Sequence, residues 1–402
     1  MSRAAAGQDA DIGARLLRDP SIRAAVDAAK DDEARTLADQ VRLCEIPAPP
    51  FREAARADAY AEAFRAVGLR NVRIDRTGNV LGERPGAAAG PRVVISAHLD
   101  TVFPDGTNVA VKREGALLRG PGIGDDCRGL AVVLAVARAL DKARVQTAGS
   151  LLFVGTVGEE GLGDLRGVKA LFGETLKGQI DRFVSVDGAG LGMTHIGVGS
   201  QRYRVTYKGP GGHSYGAFGV PSPIHALGRA IAAISALPVP QAPRTTFNVG
   251  RVGGGTSVNA IASEAWMEVD LRSEDPSALQ TLAAGFQRAV DQALADVNLA
   301  AQRGLLTMEK TLIGDRPAAR VSTESPIVRT AISVTRAVGL PVSLVAGSTD
   351  ANLPMSLNIP ALTIEGGGTG SGAHSRDETF DSTNAWQGTQ RAVLLAIALT
   401  ER

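Results

Sequence analysis

The chain has 402 residues, 44% hydrophobic and 21% charged, with a formal net charge of +1. That length is too great for one core, so two domains are expected. Near-neutral charge without acidic or basic blocks argues against nucleic-acid, membrane-surface and polyanionic partners. An aromatic content of 4% offers no stacking platform for single-stranded nucleic acid.

The first thirty residues carry charges throughout and lack the apolar core of a secretory signal. No apolar run approaches the roughly 18 residues that a membrane helix needs. Cys44 and Cys127 form no CxxC and no disulfide framework, which fits a reducing compartment. A cytoplasmic protein is expected.

Alanine-rich helical spacing predicts helices over 32–42 and 52–67, separated by Pro47, Pro49 and Pro50. Short strands at 72–74 and 79–83 precede the apolar run Val93, Val94, Ile95, Ser96 and Ala97, which reads as a buried strand. Residues 101–120 read as hairpin and loop, and 129–140 as an apolar helix. Residues 150–157 form a second apolar strand, 166–174 a helix and 182–186 a third strand. Strands alternating with helices predict a mainly parallel, layered sheet.

The texture changes near Ser200. An alternating strand at 201–207, a helix at 223–237, strands at 244–251 and 261–271, a long helix at 276–298 and a strand at 304–311 follow. That βαββαβ order matches the ferredoxin-like motif. The α/β texture returns after about Gly314, with a helix at 327–338, strands at 341–345 and 361–365 and a closing helix at 384–400. The expected fold is therefore α/β, with a mixed-sheet domain of residues 1–198 and 314–402 interrupted by an inserted α+β domain of residues 199–313.

His98 and Asp100 end the strand that begins at Val93. Residues two apart on an extended segment point the same way, and ligands gather at the C-terminal ends of strands in open α/β sheets. A histidine beside a carboxylate suits a metal ligand oriented by a second acid; the plainer alternative is a satisfied histidine and a turn aspartate. Similar groups recur at other strand and loop ends. Asp125 and Asp126 lie in GPGIGDDCRG, Glu159 and Glu160 follow LLFVGTV, Asp187 ends RFVSV, and His374 lies in GGGTGSGAHSRDE. Each has a local explanation as helix N-cap, surface charge or turn residue. Taken together they do not. Two histidines and three or four carboxylates, with no thiolate cluster, suit a pair of divalent ions of the zinc type. In a Glu pair, one member can bind metal while its neighbour takes a proton from water.

This arrangement resembles the dinuclear zinc peptidases and amidohydrolases of the M20 type, a family of aminopeptidases, dipeptidases, carboxypeptidases and deacylases. The motifs SAHLDTV, GPGIGDDCRG, GTVGEEGLGD, SVDG, GPGGHSYG, GSTDAN and GAHSRDE stand in family order from about residue 35 to the end. The resemblance implies two zinc ions per subunit, with cobalt or manganese as alternatives. His98 and Asp187 would hold one ion, Glu160 and His374 the other, and Asp125 would bridge them. Glu159 would act as general base and then as acid to the leaving amine, and Asp100 would orient His98. The Asp125–Asp126 peptide would be cis. The inserted domain would serve as lid and homodimer interface. There His213 would reach the scissile carbonyl of the neighbouring subunit, and Asn259 and Arg272 would bind substrate polar groups. Arginine suits a carboxylate because its fork donates two parallel hydrogen bonds.

Two positions depart from the common pattern. Cys127 stands where the family often has lysine, and Asp187 where many carboxypeptidases and deacylases have glutamate. Asp187 tilts the expected substrate toward short peptides with a free N-terminus, cleaved as by an aminopeptidase or dipeptidase. A carboxypeptidase or an N-acyl-amino-acid amidohydrolase with the same centre is the alternative, and a non-catalytic ligand-binding relative is less favoured. His195 and His225 match no motif and read as structural. GHSYG fits the GxSxG nucleophile elbow, but glycines and prolines surround Ser214 where an elbow needs a strand and a helix. GPGIG lacks the third glycine of a dinucleotide loop, and its Asp pair would repel a pyrophosphate.

Overall fold

A computed structural model describes residues 11–401, which divide into two compact units. One comprises the chain up to Gly197 together with the segment from Arg320 onward; the other is Val198–Ala319.

The first unit is built on a nine-stranded mixed sheet. Its order runs Arg70–Ile74, Val80–Arg84, Ser150–Thr156, Arg92–His98, Arg182–Val186, Ala361–Ile364, Met193–Gly197 and Ala319–Arg320, with Leu344–Gly347 also paired to Met193–Gly197. The central strand Arg92–His98 pairs parallel with Ser150–Thr156 and with Arg182–Val186, which pairs parallel with Ala361–Ile364. The strands toward the Arg70 edge run antiparallel. Central strands buried on both faces must be apolar throughout. Val93, Val94, Ile95 and Ala97 are 0–1% exposed, as are Leu151 to Val154. Helices Cys127–Lys142 and Trp386–Thr400 pack on each other and on Arg92–His98. Both are apolar around most of their circumference, which marks helices enclosed by protein.

The four parallel strands run from an N-terminal edge to a C-terminal edge that carries His98, Glu159, Glu160 and Asp187. A cavity of about 620 Å³, lined by Arg182, Ile327, Met355 and Pro360, lies at the opposite edge. Arg182 opens the strand that Asp187 follows. The chemistry therefore gathers at the end where ligands bind in open α/β sheets, not in that cavity.

The second unit has the order Thr245–Gly254, Glu264–Ser273, Gly199–Lys208, Thr307–Arg316, all antiparallel, with helices Pro223–Ser235 and Pro276–Leu299 packed against it. This is the ferredoxin-like arrangement. Glu264–Ser273 shows its cause. Ala265, Met267, Val269, Leu271 and Ser273 are buried, while the residues between them face away, the period of two of a half-covered strand. Val205, Tyr207, Met267, Phe286 and Val290 share its core.

The inserted unit closes later than the sequence suggested. The strand expected to end at 311 continues through a bulge between Leu312 and Gly314 to Arg316, because its partner Gly199–Lys208 keeps offering backbone as far as Ser200. The first unit resumes at Arg320 rather than at 314. The helix expected over 166–174 is α-helical only at Arg166–Ala170 and widens to a π-turn at Leu171–Thr175.

Candidate metal centre

Five segments of the first unit meet at the C-terminal edge of its sheet. His98 is the last residue of its strand and is 1% exposed. Its Nδ1 lies 3.0 Å from the carbonyl oxygen of Asp100. That contact makes Nδ1–H a donor to the carbonyl and turns Nε2 toward the site, where a metal would take its lone pair. Nε2 lies 3.0 Å from Asp125 Oδ1 and 3.8 Å from Asp187 Oδ1. Asp125 turns its other oxygen, Oδ2, to His374 Nε2 at 3.2 Å, and Glu160 Oε1 meets the same nitrogen at 2.9 Å. One carboxylate thus spans two imidazoles, and each imidazole has a second carboxylate of its own.

The surrounding acids hold the backbone. The carboxylate of Asp100 accepts from the N–H groups of Glu159 at 3.0 Å and Glu160 at 2.8 Å, which ties the Glu pair to the His98 strand. Asp100 meets the His98 ring chiefly through its carbonyl; its carboxylate is 3.7 Å away. Asp126 accepts from His98 N at 3.0 Å, from Gly129 N at 3.0 Å as a helix N-cap, and from Gly188 N at 3.3 Å. The local N-cap explanation therefore belongs to Asp126, leaving Asp125 free to face the two imidazoles. The peptide between the two aspartates is cis.

Glu378 escaped the sequence reading. It is 2% exposed, and its carboxylate accepts from the N–H groups of Gly122, Gly124 and Asp125 at 3.0, 2.8 and 3.0 Å. The available signal was an acid four residues beyond His374 within one glycine-rich motif.

Charge crowding sets the protonation. Burial pulls the His98 imidazole down, but the hydrogen bond to Asp125 and the charges of Asp126 and Asp187 push it well above its usual value. Hydrogen bonds from its ring to the carboxylates of Asp125 and Glu160 raise His374 to about 10. Burial works against ionised Asp125, yet its bonds to His374 and His98 hold it well below the carboxylate range. Asp187 goes the other way: burial and the neighbouring Asp126, Asp125 and Glu159 charges push its carboxyl up. Burial likewise lifts Glu378 to about 7 despite its backbone donors. Such an excess of buried carboxylate over imidazole fits divalent cations. The ligand atoms of His98, Asp125 and Glu160 lie within 4.8 Å of one another, close enough for a common ion.

The profile of peptidase family M20/M25/M40 matches residues 94–398. The chain belongs to that family. As an M20-family protein it is a hydrolase, and the chemistry of the family is metal-dependent cleavage of peptide or amide bonds. It is 26% identical to succinyl-diaminopimelate desuccinylase of Corynebacterium glutamicum over 84% of this chain and 89% of that protein. Its fold is that of a tripeptidase from Staphylococcus aureus, with a TM-score of 0.74 at 21% identity over 91% of this chain and 98% of the other. The Bacillus subtilis YXEP protein, a dinuclear metal-binding peptidase of the M20 family, superposes with a TM-score of 0.69 at 18% identity over 92% and 99% of the two chains.

The remaining candidates lie in the second unit. His213 sits in a two-residue strand opposite Ala260–Ile261, and Asn259 is its neighbour through the Ser214 N to Asn259 O bond at 2.9 Å. His213 Nδ1 accepts from Tyr215 N and Gly216 N, both at 3.3 Å, so the ring proton belongs on the exposed Nε2. Arg272 lies elsewhere, on the open sheet face, with Nε 2.6 Å from Asp270 Oδ2. Ser214 has no nucleophile elbow around it: the next helix begins only at Pro223. His195 Nδ1 donates to Val321 O, 2.8 Å away, inside the first unit.

Proposed function

We propose that the chain is an exopeptidase of short peptides that works with a dinuclear zinc centre, for which His98 and Asp187 would hold one ion, Glu160 and His374 the other, and Asp125 would be shared by both. The observation that carries this reading is the Asp125 carboxylate stretched between two imidazoles at 3.0 and 3.2 Å. When bound, the ions supply Lewis acidity and lower the pKa of water. Glu159 takes the proton of the attacking water and returns it to the leaving amine. The bonds from its N–H and that of Glu160 to Asp100 keep the base and its ligand neighbour in fixed register. His213 donates to the oxyanion from the neighbouring subunit, which makes a homodimer through Val198–Ala319 the working form. Asn259 and Arg272 take substrate polar groups. Two buried, unbridged cysteines support a cytoplasmic setting.

An N-acyl-amino-acid amidohydrolase is the second reading, and the arginine grouping favours it. Arg202 and Arg272 both bond Asp270, and the Arg316 charge also falls on Arg202. A cluster of arginines with one carboxylate among them suits a substrate carboxylate. Turnover of metal-loaded protein on free dipeptides and tripeptides, N-blocked peptides and N-acyl amino acids separates the two; cleavage of only the blocked set reverses the choice. In either reading Glu159→Gln keeps both ions and lowers kcat by about 100- to 10,000-fold, the usual worth of a positioned base. Full turnover by that variant would remove Glu159 from the role.

A further inference from the structure

The glycine-rich run GPGIGDD looks like an anion cradle without a ligand: it bends successive backbone N–H groups toward one point, as phosphate-binding loops do. Here the anion comes from the chain itself. Gly122 N, Gly124 N and Asp125 N all donate to the Glu378 carboxylate. The glycines serve that approach. Gly122 has φ +77°, and a Cβ on Gly124 would lie 3.1 Å from Glu378 Oε1. The backbone adds a further tie, since Gly120 N donates to Glu378 O at 3.0 Å.

The consequence follows from what the two ends of this link carry. Asp125 is the residue whose carboxylate spans both imidazoles. Glu378 is held four residues from His374 by its own short loop, in which Glu378 N donates to Ser375 O at 3.2 Å. His374 is otherwise lightly anchored, at a side-chain exposure of 55% and with φ +66°. Asp100 joins the His98 strand to the Glu pair, and Asp126 joins it to Gly188 beside Asp187. Neither reaches the His374 segment. Beside the His374–Asp125 contact itself and a bond from Arg119 Nη1 to Asp377 O at 3.4 Å, the Glu378 carboxylate ties that segment to the backbone of the Asp125 loop through three hydrogen bonds.

We propose that Glu378 is a positioning residue that holds the Asp125 carboxylate and the His374 imidazole in the register that two ions require. It touches neither substrate nor ion. This inference rests on the dinuclear reading above. Its chemistry is a matter of reach: both carboxylate oxygens are used, one by Gly122 and the other by Gly124 and Asp125. Glutamine keeps the shape but turns an NH2 toward one N–H group. Aspartate keeps the charge but is shorter by a methylene.

The test is zinc and cobalt binding to the full-length chain by calorimetry and equilibrium dialysis, with the absorption spectrum of the cobalt form as a geometric readout. Wild type is expected to take two ions. Glu378→Gln is expected to weaken the ion shared by Asp125, Glu160 and His374 by about 10- to 100-fold, the typical effect of losing an outer support of a metal ligand. It should also alter the cobalt spectrum and lower kcat more than it raises KM. Glu378→Asp should not rescue these losses, and it decides the matter if the glutamine variant does not fold. Wild-type affinity and an unchanged cobalt spectrum in a folded variant would overturn the proposal. So would full rescue by aspartate, which would make the role one of charge alone. If wild type itself bound one ion or none, the dinuclear reading would fall first, and the two failures are thereby told apart.

Discussion

His98 and His374 illustrate how a site built for cations behaves toward protons. Each imidazole faces carboxylates that favour its protonated form in the metal-free protein, raising His98 well above its usual value and His374 to about 10. Divalent ions bind the unprotonated ring, so loading must expel these protons. At pH 7.5 we expect metal binding to release about two protons from the imidazoles alone, seen as a calorimetric enthalpy that changes with the ionisation enthalpy of the buffer. Affinity should tighten as pH rises toward 10. An enthalpy independent of buffer would show that the rings are already neutral. The same shift fixes a stability trend for the metal-free form. A raised imidazole pKa means that the folded state binds the proton more tightly. The His374 contribution is complete below 6.5 and is lost as pH climbs through about 10. Half-exposed as it is, that pair contributes modestly.

At the scale of elements, what the sequence made legible depended on burial. The central strands could be read because continuous apolar runs have few other uses, and the Arg182–Val186 span was expected to the residue. Four of the strand-end groups were visible for the same reason, since a polar residue that ends an apolar run marks the sheet edge. Glu378 was not visible. Its partners are backbone N–H groups more than 250 residues away, and no local pattern encodes that pairing. The helices Ile12–Leu16 and Pro20–Asp31 were also passed over, although Asp19 before Pro20 is an N-cap signal, and Asp19 accepts from Ser21 N and Ile22 N. Arg56 is a similar hidden support. It is fully buried on helix Ala54–Ala66 and donates to the carbonyls of Cys44, Ile46 and Leu99. It thereby ties the end of helix Glu33–Cys44 to the residue before Asp100. Arg56→Met keeps the apolar stem but leaves three buried carbonyls without their donor. The expected cost is about 3 kcal/mol or more, read as a lower urea midpoint for the metal-free protein. A midpoint within error of wild type would mean that water replaces the guanidinium.

At the scale of the whole molecule, the residues proposed to hold metal and those proposed to bind substrate fall on different units. His98, Asp125, Glu160, Asp187 and His374, with the proposed base Glu159, all belong to the first, and His213, Asn259 and Arg272 to the second. Each unit has its own core, with Val93, Ile95 and Val393 in one and Val205, Phe286 and Val290 in the other. The points where the chain leaves and re-enters the first unit are adjacent: Val321 N donates to His195 O at 2.8 Å. A short glycine linker can therefore replace residues 198–319 without pulling on the sheet. The first unit so made should fold, because none of its buried strands loses a central neighbour, and it should bind two ions with near wild-type affinity. It should also be monomeric by sedimentation and lose peptide turnover, since the groups proposed to grip substrate and oxyanion are gone. Retained turnover would place the whole of catalysis on the first unit and leave the ferredoxin-like unit an assembly module. Lost metal binding in a folded, excised protein would show instead that the inserted unit helps to shape the centre itself.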